Sequence, residues 1–365
     1  MVKVLFCGLK YEYGKPTAGY SHEYQNFYSV LKRMEGVEVS DFFVDEKILE
    51  VGRDVMNPLF IKTVEEQKPD LLFCFLFTEE LKKETIEYIT KHTGTKTFNW
   101  FADDHWRFPV FSKFWASLFT AVSTTDSQAV AKYHRLGIKN VIKTQWAANT
   151  DMYKPVEDFP PEADPPMAEK IGDYGITFVG KNYGNRGEYL QFLKDQNLPA
   201  EGYGKGWAGG LVSQEKMLEI FSASKINLNF TESPYMTAKD RSKILAKLVL
   251  KKELGKYKFN AHHFFGNLSS AIGTQRRQIK GRTFEVPACG GFLLTGDADN
   301  LRDYYVDGKE IVIFKNKADM AEKCKYYLAH EEERKAIAKA GYERTIKEHT
   351  YEQRFRDIFK AMGLS

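Results

Sequence analysis

The sequence predicts an α/β protein of two Rossmann-like domains, each built on a doubly wound parallel sheet. The chain has 365 residues, more than one ordinary core supports, and its 43% of hydrophobic residues can build two cores. Short apolar runs alternate with amphipathic stretches, as βαβ units require. This alternation stops once, in a proline-rich segment, and then starts again. Two domains of similar architecture are therefore expected, facing each other across a cleft.

The first domain is expected over residues 1–152. Residues 2–7 are predicted to form a buried strand, and the loop after it contains Gly8, Gly14 and Gly19. Residues 71–77 (LLFCFLF) are apolar at every position, which indicates a parallel strand covered on both faces. The other predicted elements are strands at 97–101 and 120–123, a helix at 126–136, and a helix that carries Tyr24, Phe27, Tyr28 and Leu31.

The proline-rich segment, residues 153–172, is predicted to be a stiff linker between the domains. The second domain is expected over residues 173–349, and a final helix over residues 350–365. The predicted strands of the second domain lie at 176–179, 226–230, 291–295 and 310–314, and its predicted helices at 187–195 and 331–349.

The charge of the chain is concentrated in one basic insertion, residues 232–280. The net charge is only +4, but residues 239–282 carry twelve Lys or Arg against two acids. The apolar residues Ile244, Leu245, Leu248 and Val249 share one face of a predicted helix. This helix either packs on the second domain with its lysines solvated, or binds an anionic partner such as a membrane surface, an acidic glycan or nucleic acid.

The cysteines and the N-terminus indicate a cytoplasmic protein. Cys7, Cys74, Cys289 and Cys324 form no CxxC pair, so no zinc site is expected. The first residues lack the apolar length and cleavage pattern of a signal peptide, and no window approaches the roughly 20 apolar residues of a membrane span. A reducing compartment is the simplest expectation.

The segment ITFVGKNYGNRG has the features of a diphosphate site. Gly180 ends a predicted strand, and Lys181 and Arg186 lie on the loop before the next helix. A diphosphate needs backbone N–H groups, a helix N-terminus and one or two cations, and this segment supplies all three. The alternative interpretation is an ordinary βα turn with two solvated cations.

A second segment, QIKGRTFEVPACGGFLLT, predicts a nucleotide contact. Lys280 and Arg282 can face phosphate, and Glu285 can accept the hydroxyls of a ribose. Gly290 and Gly291 allow the backbone to approach a ligand closely. The alternative is a surface salt bridge between Arg282 and Glu285 with a glycine at the end of the helix.

Residues 280–351 resemble the C-terminal domain of the spore maturation protein CgeB and its relatives, a branch of the group 1 glycosyltransferases. The resemblance rests on KGRTFEVPACGGFLLT, DNLRDYYVDGKEIVIF and AKAGYERTIKEHTYEQR, and extends to FVGKNYGNR, INLNF, FNWFADDHWRF and STTDSQAVAKYHRLG. It implies the GT-B fold, with the C-terminal helix crossing back to the N-terminal domain, and a nucleotide sugar held by the C-terminal half.

The resemblance also implies roles for particular residues. Lys181 and Arg186 match the pair that neutralises the donor diphosphate, Glu285 the acid that grips the ribose, and Gly290 and Gly291 the glycines beside the phosphates. The wider group carries a Glu near the donor sugar, eight residues before that acid. Arg277 occupies this position here, so neither the usual sugar contact nor the stereochemical outcome transfers to this chain.

The segment ADDHWRF, residues 102–108, supplies candidate catalytic groups at the end of a predicted strand. An inverting transfer needs a general base for the acceptor hydroxyl, and Asp103, Asp104 or His105 can serve. In a retaining transfer the same groups would position hydroxyls. The alternative is a helix cap with a buried Trp106. His22 is a weaker candidate and is expected to be exposed or capping.

These features predict transfer of a sugar from a nucleoside diphosphate sugar, most simply a UDP-sugar, to a hydroxyl of a glycan, protein, lipid-linked or nucleic-acid acceptor. No DxD-like pair stands where a GT-A enzyme would hold a divalent metal, so neither a metal nor another cofactor is expected, and cations and helix dipoles would stabilise the diphosphate. Two alternatives stay open: another nucleotide-sugar reaction on the same fold, such as epimerisation, and non-catalytic binding of anionic polymers.

Overall fold

The computed structural model describes residues 1–156, 174–232, 250–253, 256–259, 264–274 and 276–364, and it gives no side-chain description for residues 250–259, 264 and 265. The chain divides into two compact units. Unit 1 comprises Met1–Gln145, Leu248–Gly273 and Tyr351–Ser365, and unit 2 comprises Trp146–Lys247 and Thr274–Thr350.

The elements follow in chain order. The strands are β1 Val2–Gly8, β2 Val37–Phe43, β3 Leu71–Cys74, β4 Lys96–Phe101, β5 Ala121–Thr124, β6 Val141–Lys143, β7 Ile176–Val179, β8 Ala200–Tyr203, β9 Ile226–Asn229, β10 Leu250–Glu253, β11 Lys256–Phe259, β12 Leu293–Gly296 and β13 Val312–Phe314. The α-helices are α1 Ser29–Arg33, α2 Val44–Gln67, α3 Lys83–His92, α4 Asp104–Arg107, α5 Ser127–Arg135, α6 Arg186–Asp195, α7 Gln214–Ala223, α8 Phe264–Gly273, α9 Arg282–Ala288, α10 Lys317–Ala329, α11 Glu331–Glu348 and α12 Tyr351–Ala361.

The described strands β1–β6 of unit 1 form a parallel sheet in the order β2-β1-β3-β4-β5-β6. Its central strands are buried along their length, as both faces of a doubly wound sheet require. The chain moves from β1 to β2 on one side and then crosses to β3 on the other. The switch point therefore lies between the C-terminal ends of β1 and β3, which is where such sheets bind ligands.

The C-terminal helix α12 belongs to unit 1. The ring of Phe355 packs against Phe27 and Phe73, with centroids 5.4 Å apart in both pairs. Helix α12 presents buried residues at helical spacing, at Tyr351, Phe355, Ile358 and Phe359. The predicted return of the last helix to the N-terminal domain is confirmed.

The described strands of unit 2 form a five-stranded parallel sheet in the order β13-β12-β9-β7-β8. Here the chain moves from β7 to β8 on one side and then crosses to β9 on the other. The C-terminal ends of β7 and β9 therefore flank the switch point of this sheet. Two parallel-sheet α/β domains confirm the predicted fold class.

The predicted strands are all present, with boundaries shifted by up to a few residues. Strands β2, β6 and β8 and helices α2, α3, α7 and α8 have no counterpart among the predicted elements. The burial of β2 is incomplete, and Gly52, with a φ of +77°, interrupts α2, so neither of these two elements has the regular pattern that predicts it.

The predicted basic helix is wrong over its last part. Leu250–Glu253 and Lys256–Phe259 pair as antiparallel strands. The residues KYKF alternate basic and aromatic side chains, as a strand does, whereas the helical spacing behind the prediction rests on residues 244–249. Residues 244–249, which define the predicted apolar face, and most of the predicted linker lie outside the described residues. Within the described residues, no helix is long and apolar enough to cross a membrane.

Candidate functional site

The loop after β7 is fixed in place by its own neighbours. The indole N–H of Trp207 donates a hydrogen bond to the carbonyl of Gly180 at 2.7 Å, and the Gly180 N–H donates to the carbonyl of Tyr203 at 2.8 Å. A Cβ on Gly180 would lie 2.8 Å from the Phe178 ring, so a glycine is needed here to let the ring pack under the loop.

Arg186 begins α6 and lies under this loop, with only 8% of its surface exposed. Its Nη1 donates to the Lys181 carbonyl at 3.0 Å, and its Cζ lies 4.0 Å from the centre of the Tyr183 ring. Among the described residues, its Nε has no hydrogen-bond partner. Burial lowers the pKa of the guanidinium, yet an arginine stays charged at neutral pH. A buried cation with an unsatisfied donor is a strong attractant for an anion.

Arg282, at the start of α9, brings a second cation to the same strand end. Its Nε donates to the carbonyl of Val179, the last residue of β7, at 3.4 Å, and its Nη1 bonds to the Glu285 carboxylate. Burial works to lower the pKa of Arg282, but the facing Glu285 and Tyr153 raise it above its ordinary value. The charge of Arg282 also lowers the pKa of Arg186, which indicates that the two guanidinium groups lie near each other.

Glu285 is almost fully buried, at 3% exposure. A Cβ on Gly281 would lie 2.7 Å from its Oε1, so the missing side chain leaves room for this oxygen. The ion pair between Arg282 and Glu285 does form, as the alternative interpretation of this segment stated, but it is partly buried beside β7: the side chain of Glu285 is 4% exposed and that of Arg282 is 29% exposed.

The two glycines after α9 serve the packing of unit 2. Gly290 has a φ of +73° and its N–H donates to the Pro287 carbonyl at 2.8 Å, which makes it the residue that ends the helix. A Cβ on Gly291 would lie 2.3 Å from the Phe221 carbonyl oxygen. The close approach that Gly291 allows is therefore to α7. Lys280 is half-buried before α9, and Lys181 is exposed.

A carboxylate that the sequence reasoning missed lies after β9. Glu232 accepts hydrogen bonds from the Arg277 guanidinium at 2.6 Å, from the Asn185 amide at 2.7 Å and from the Tyr189 hydroxyl at 3.1 Å. Asn185 immediately precedes Arg186, so Glu232 and Arg277 lie at the switch point beside the two cations. The wider group has an acid where this chain has Arg277. Arg277 is thus paired with Glu232, an acid from the segment after β9.

The predicted catalytic segment of unit 1 falls where β4 ends and α4 begins. Asp104 is fully buried, and its Oδ2 accepts a hydrogen bond from the Tyr133 hydroxyl at 2.8 Å. Burial raises its pKa to about 6, against the stabilising hydrogen bonds of its neighbours. His105 is also buried, and Gly273 of α8 packs against its carbonyl. Asp103 is half-buried and is the most accessible of the three, and Trp106 is half-buried too.

Two further charged groups lie at this edge of unit 1. Glu80 accepts hydrogen bonds from the backbone N–H groups of Phe77 and Thr78, and burial raises its pKa. The Arg107 guanidinium lies over the rings of Phe77 and Phe111, at 4.5 and 4.3 Å, and burial lowers its pKa. The polarity of residues 102–108 predicted a site here, but Glu80 had no sequence signal.

The glycine-containing loop that the sequence predicts after β1 also belongs to unit 1. Gly14 and Gly19 have φ values of +66° and +83°, and Gly8 packs against the Phe6 ring. His22, expected to be exposed or capping, is half-buried, with its Nε2 3.1 Å from the Tyr351 hydroxyl, because α12 covers it. Within the described residues, no three His, Cys, Asp or Glu side chains form a group that could hold a metal ion.

Known proteins share this architecture. Residues 253–360 match the family model described as Glycosyl transferase-like. HepE of Anabaena, solved in complex with UDP, superposes with a TM-score of 0.62 at 10% identity, covering 99% of each chain. Sucrose-phosphate synthase of Thermosynechococcus elongatus has a TM-score of 0.61 at 12% identity over 99% of this chain and 100% of its own.

A glycosyltransferase of Rickettsia africae has a TM-score of 0.61 at 11% identity, over 100% of this chain and 99% of its own. No curated protein sequence matches the chain significantly. The chain therefore has the GT-B fold of these structures, and its residues 253–360 match a glycosyltransferase family model.

Proposed function

We propose that this glycosyltransferase moves a sugar from a UDP-sugar to an acceptor hydroxyl without a metal ion. The observation that carries the proposal is the convergence of Arg186, Arg282 and Glu285 at the C-terminal end of β7, beside the switch point of unit 2. HepE of Anabaena was solved with UDP and with UDP-glucose, which supports uridine nucleotides as the first donors to test.

The two guanidinium groups supply the charge stabilisation. The leaving diphosphate gains negative charge as the bond to the sugar breaks, and cations held in place beforehand stabilise that charge at no cost of reorganisation. Arg186 is held by the Lys181 carbonyl and the Tyr183 ring, and its Nε is buried without a hydrogen-bond partner among the described residues, so the charge of the guanidinium is fixed at the end of β7. Lys181, before α6, and Lys280, before α9, add positive charge. Metal independence follows from this arrangement and is part of the proposal.

Glu285 and Glu232 would accept hydrogen bonds from different hydroxyl groups of the donor. Glu285 is positioned beside the cations, and its Oε1 faces the space left by Gly281, so it suits the ribose hydroxyls. Glu232 is oriented by Arg277, Asn185 and Tyr189, and its carboxylate can accept a hydrogen bond from the donor sugar. Glu232 would thus replace the acid that the wider group has where this chain has Arg277.

In unit 1, Asp103 is the candidate for the base or the hydroxyl-positioning group, because Asp104 and His105 are buried. The charge of Asp103 acts to raise the pKa of Arg107, at the end of α4, against the effect of burial. The CgeB-like character of residues 280–351, a cytoplasmic location and an anionic partner for residues 239–282 stay predictions within this proposal.

The experiment is a binding and turnover assay on the full chain. UDP at 100 times its Kd should stabilise the protein by about 2.7 kcal/mol, whereas 2′,3′-dideoxy-UDP should bind at least about tenfold more weakly because Glu285 loses its partners. With a UDP-sugar and an acceptor, UDP should be released in the presence of EDTA. Equal binding of both nucleotides would remove the role of Glu285, and no response to any nucleoside diphosphate would refute the donor assignment.

A further inference from the structure

Three tyrosines of unit 1 form a stack on its surface, called here the tyrosine ladder: Tyr11, Tyr20 and Tyr24. The rings of Tyr20 and Tyr24 are 4.5 Å apart at their centres and 15° from parallel, and those of Tyr11 and Tyr20 are 5.7 Å apart and 11° from parallel. Tyr20 is 50% exposed. Parallel aromatic rings of this extent normally fill a core, so an exposed stack indicates a surface that a ligand covers.

The backbone holds the ladder in place without a ligand. Tyr11 and Tyr20 form an antiparallel bridge, and the Asp45 carboxylate accepts the backbone N–H groups of Lys10 and Tyr11, both at 3.0 Å. The ring of Tyr24 packs on Tyr28, at 5.3 Å. A binding surface that is already ordered loses little conformational entropy when it binds.

Tyr11 and Tyr20 lie in the loop that follows β1, at the switch point of the unit 1 sheet, and Tyr24 begins the helical segment Tyr24–Tyr28 that follows this loop. The order β2-β1-β3 places the C-terminal ends of β1 and β3 side by side at this point. Sheets of this type bind their ligands there. The position is therefore that of a substrate site, and it is separate from the cationic site of unit 2.

The charges around the ladder select the chemistry of the ligand. Burial raises the pKa of Glu23, adjacent to Tyr24, to about 7, and the charges of Glu12 and Glu80 contribute to this rise. Of the two lysines here, Lys10 is paired with Glu46 at 2.8 Å and Lys15 is exposed on the loop. Nucleic acids also stack on tyrosines, but they need a basic groove, and here the acids Glu12, Glu23, Asp45 and Glu46 outnumber the two lysines. Carboxylates next to aromatic rings instead suit a neutral molecule with many hydroxyls.

We propose that the tyrosine ladder binds the hexopyranose rings of a neutral glycan, which makes the acceptor a carbohydrate. The exposed parts of the tyrosine rings would pack against the C–H groups of a sugar ring, which favour the electron-rich face of an aromatic ring, and the nearby carboxylates would accept hydrogen bonds from its hydroxyls. The inference rests on the proposed function, because it names the acceptor class for the same reaction.

The test measures glycan binding directly, by saturation-transfer NMR and calorimetry, with maltohexaose, cellohexaose and chitohexaose as probes. At least one should bind the full chain with a Kd of millimolar order or tighter. Tyr20→Ala should weaken that binding about tenfold, whereas Tyr20→Phe should keep it within about twofold, because stacking needs the ring and not the hydroxyl. Tyr326→Ala is the matched control: Tyr326 is 45% exposed and stacks on His330 in unit 2.

Two results would overturn the inference. One is that none of the three glycans binds at about 10 mM, a concentration that detects even weak recognition. The other is that a heparin hexasaccharide or an oligothymidylate binds in their place and loses affinity in Tyr20→Ala. UDP binding at unit 2 is measured on the same samples. If UDP binds and no glycan does, the ladder inference fails alone; if glycans bind and UDP does not, the proposed donor fails alone.

Discussion

Units 1 and 2 place polar residues at the same edge of similar sheets, but the side chains differ. In unit 2, the strand ends carry the cations Arg186 and Arg282, with Glu285 bonded to one of them. In unit 1, the corresponding edge carries the carboxyls of Glu80 and Asp104, whose pKa values are raised by burial, together with one cation, Arg107.

This difference in side chains predicts which chemical group each sheet would bind. Cations under a loop of exposed backbone suit a diphosphate, and acids beside an exposed tyrosine stack suit hydroxyls. The fold alone does not distinguish the two units, since both are doubly wound parallel sheets. The identity of a few side chains at the strand ends does.

The largest expected effect comes from removing the buried cation of unit 2. Arg186→Ala should lower turnover by about 10²-fold to 10³-fold, the usual cost of losing one preorganised charge-stabilising group. Arg186→Met, which keeps the packing on the Tyr183 ring without the charge, should do the same while the melting temperature holds. Steady-state kinetics of both variants provide the measurement.

Arg302→Ala is the control for this prediction, because Arg302 is also in unit 2 but is exposed and paired with Asp297. Unit 2 would lose its role as the diphosphate site if Arg186→Met kept the turnover of the unaltered protein.

A second prediction tests the buried acid of unit 1. The pKa of Asp104 is about 6 in the fold and 3.8 ordinarily, so between these pH values the folded state binds more protons than the unfolded state. Stability contributed by Asp104 is therefore lost as pH rises through this window, by about 3 kcal/mol. Asp104→Asn should remove the loss, so its stability relative to the unaltered protein should rise from pH 4 to pH 7. Urea unfolding of unit 1 measures this difference.

Asp54→Asn is the control for the pH dependence, because Asp54 is exposed. A constant difference between Asp104→Asn and the unaltered protein across this pH range would show that the buried carboxyl carries no such cost.

The smallest expected effect separates sugar from nucleotide binding within unit 2. Glu232→Gln should weaken binding of a UDP-sugar about tenfold and change the Kd of UDP by no more than about twofold, because UDP lacks the sugar. Calorimetry with both ligands measures the difference. Glu188→Gln, an exposed acid on α6, is the control. Equal losses for both ligands would assign Glu232 to the nucleotide or to packing.

Most of the fold could be predicted because burial patterns are local. The strand at 176–179 was predicted with its observed bounds, since a run of apolar residues before a glycine has few other structures open to it. The failures have local causes as well. The helical spacing of residues 244–249 predicts a helix that continues through the basic segment, where β10 and β11 instead pair as strands.

Some members of the candidate site could be named from the sequence, but their contacts could not, and Glu232 was missed. Arg186 and Arg282 were recognisable as cations near glycines, yet nothing in the sequence placed Arg282 against Val179, 103 residues earlier. The sequence predicts Gly290 and Gly291 as phosphate contacts, with a glycine at the end of the helix as the alternative. In the structure Gly290 follows the end of α9, and Gly291 allows close packing on α7.

Periodicity and residue type were enough to predict the two βα sheets, the strand ends at which chemistry can occur and the cations available there. Which of those residues contact each other depends on the tertiary structure. The pair Glu232 and Arg277, the burial of Asp104 and the stacking of Tyr11 on Tyr20 all depend on the order of strands or the path of a loop. Strand order is set by packing between distant segments, and no local pattern encodes it.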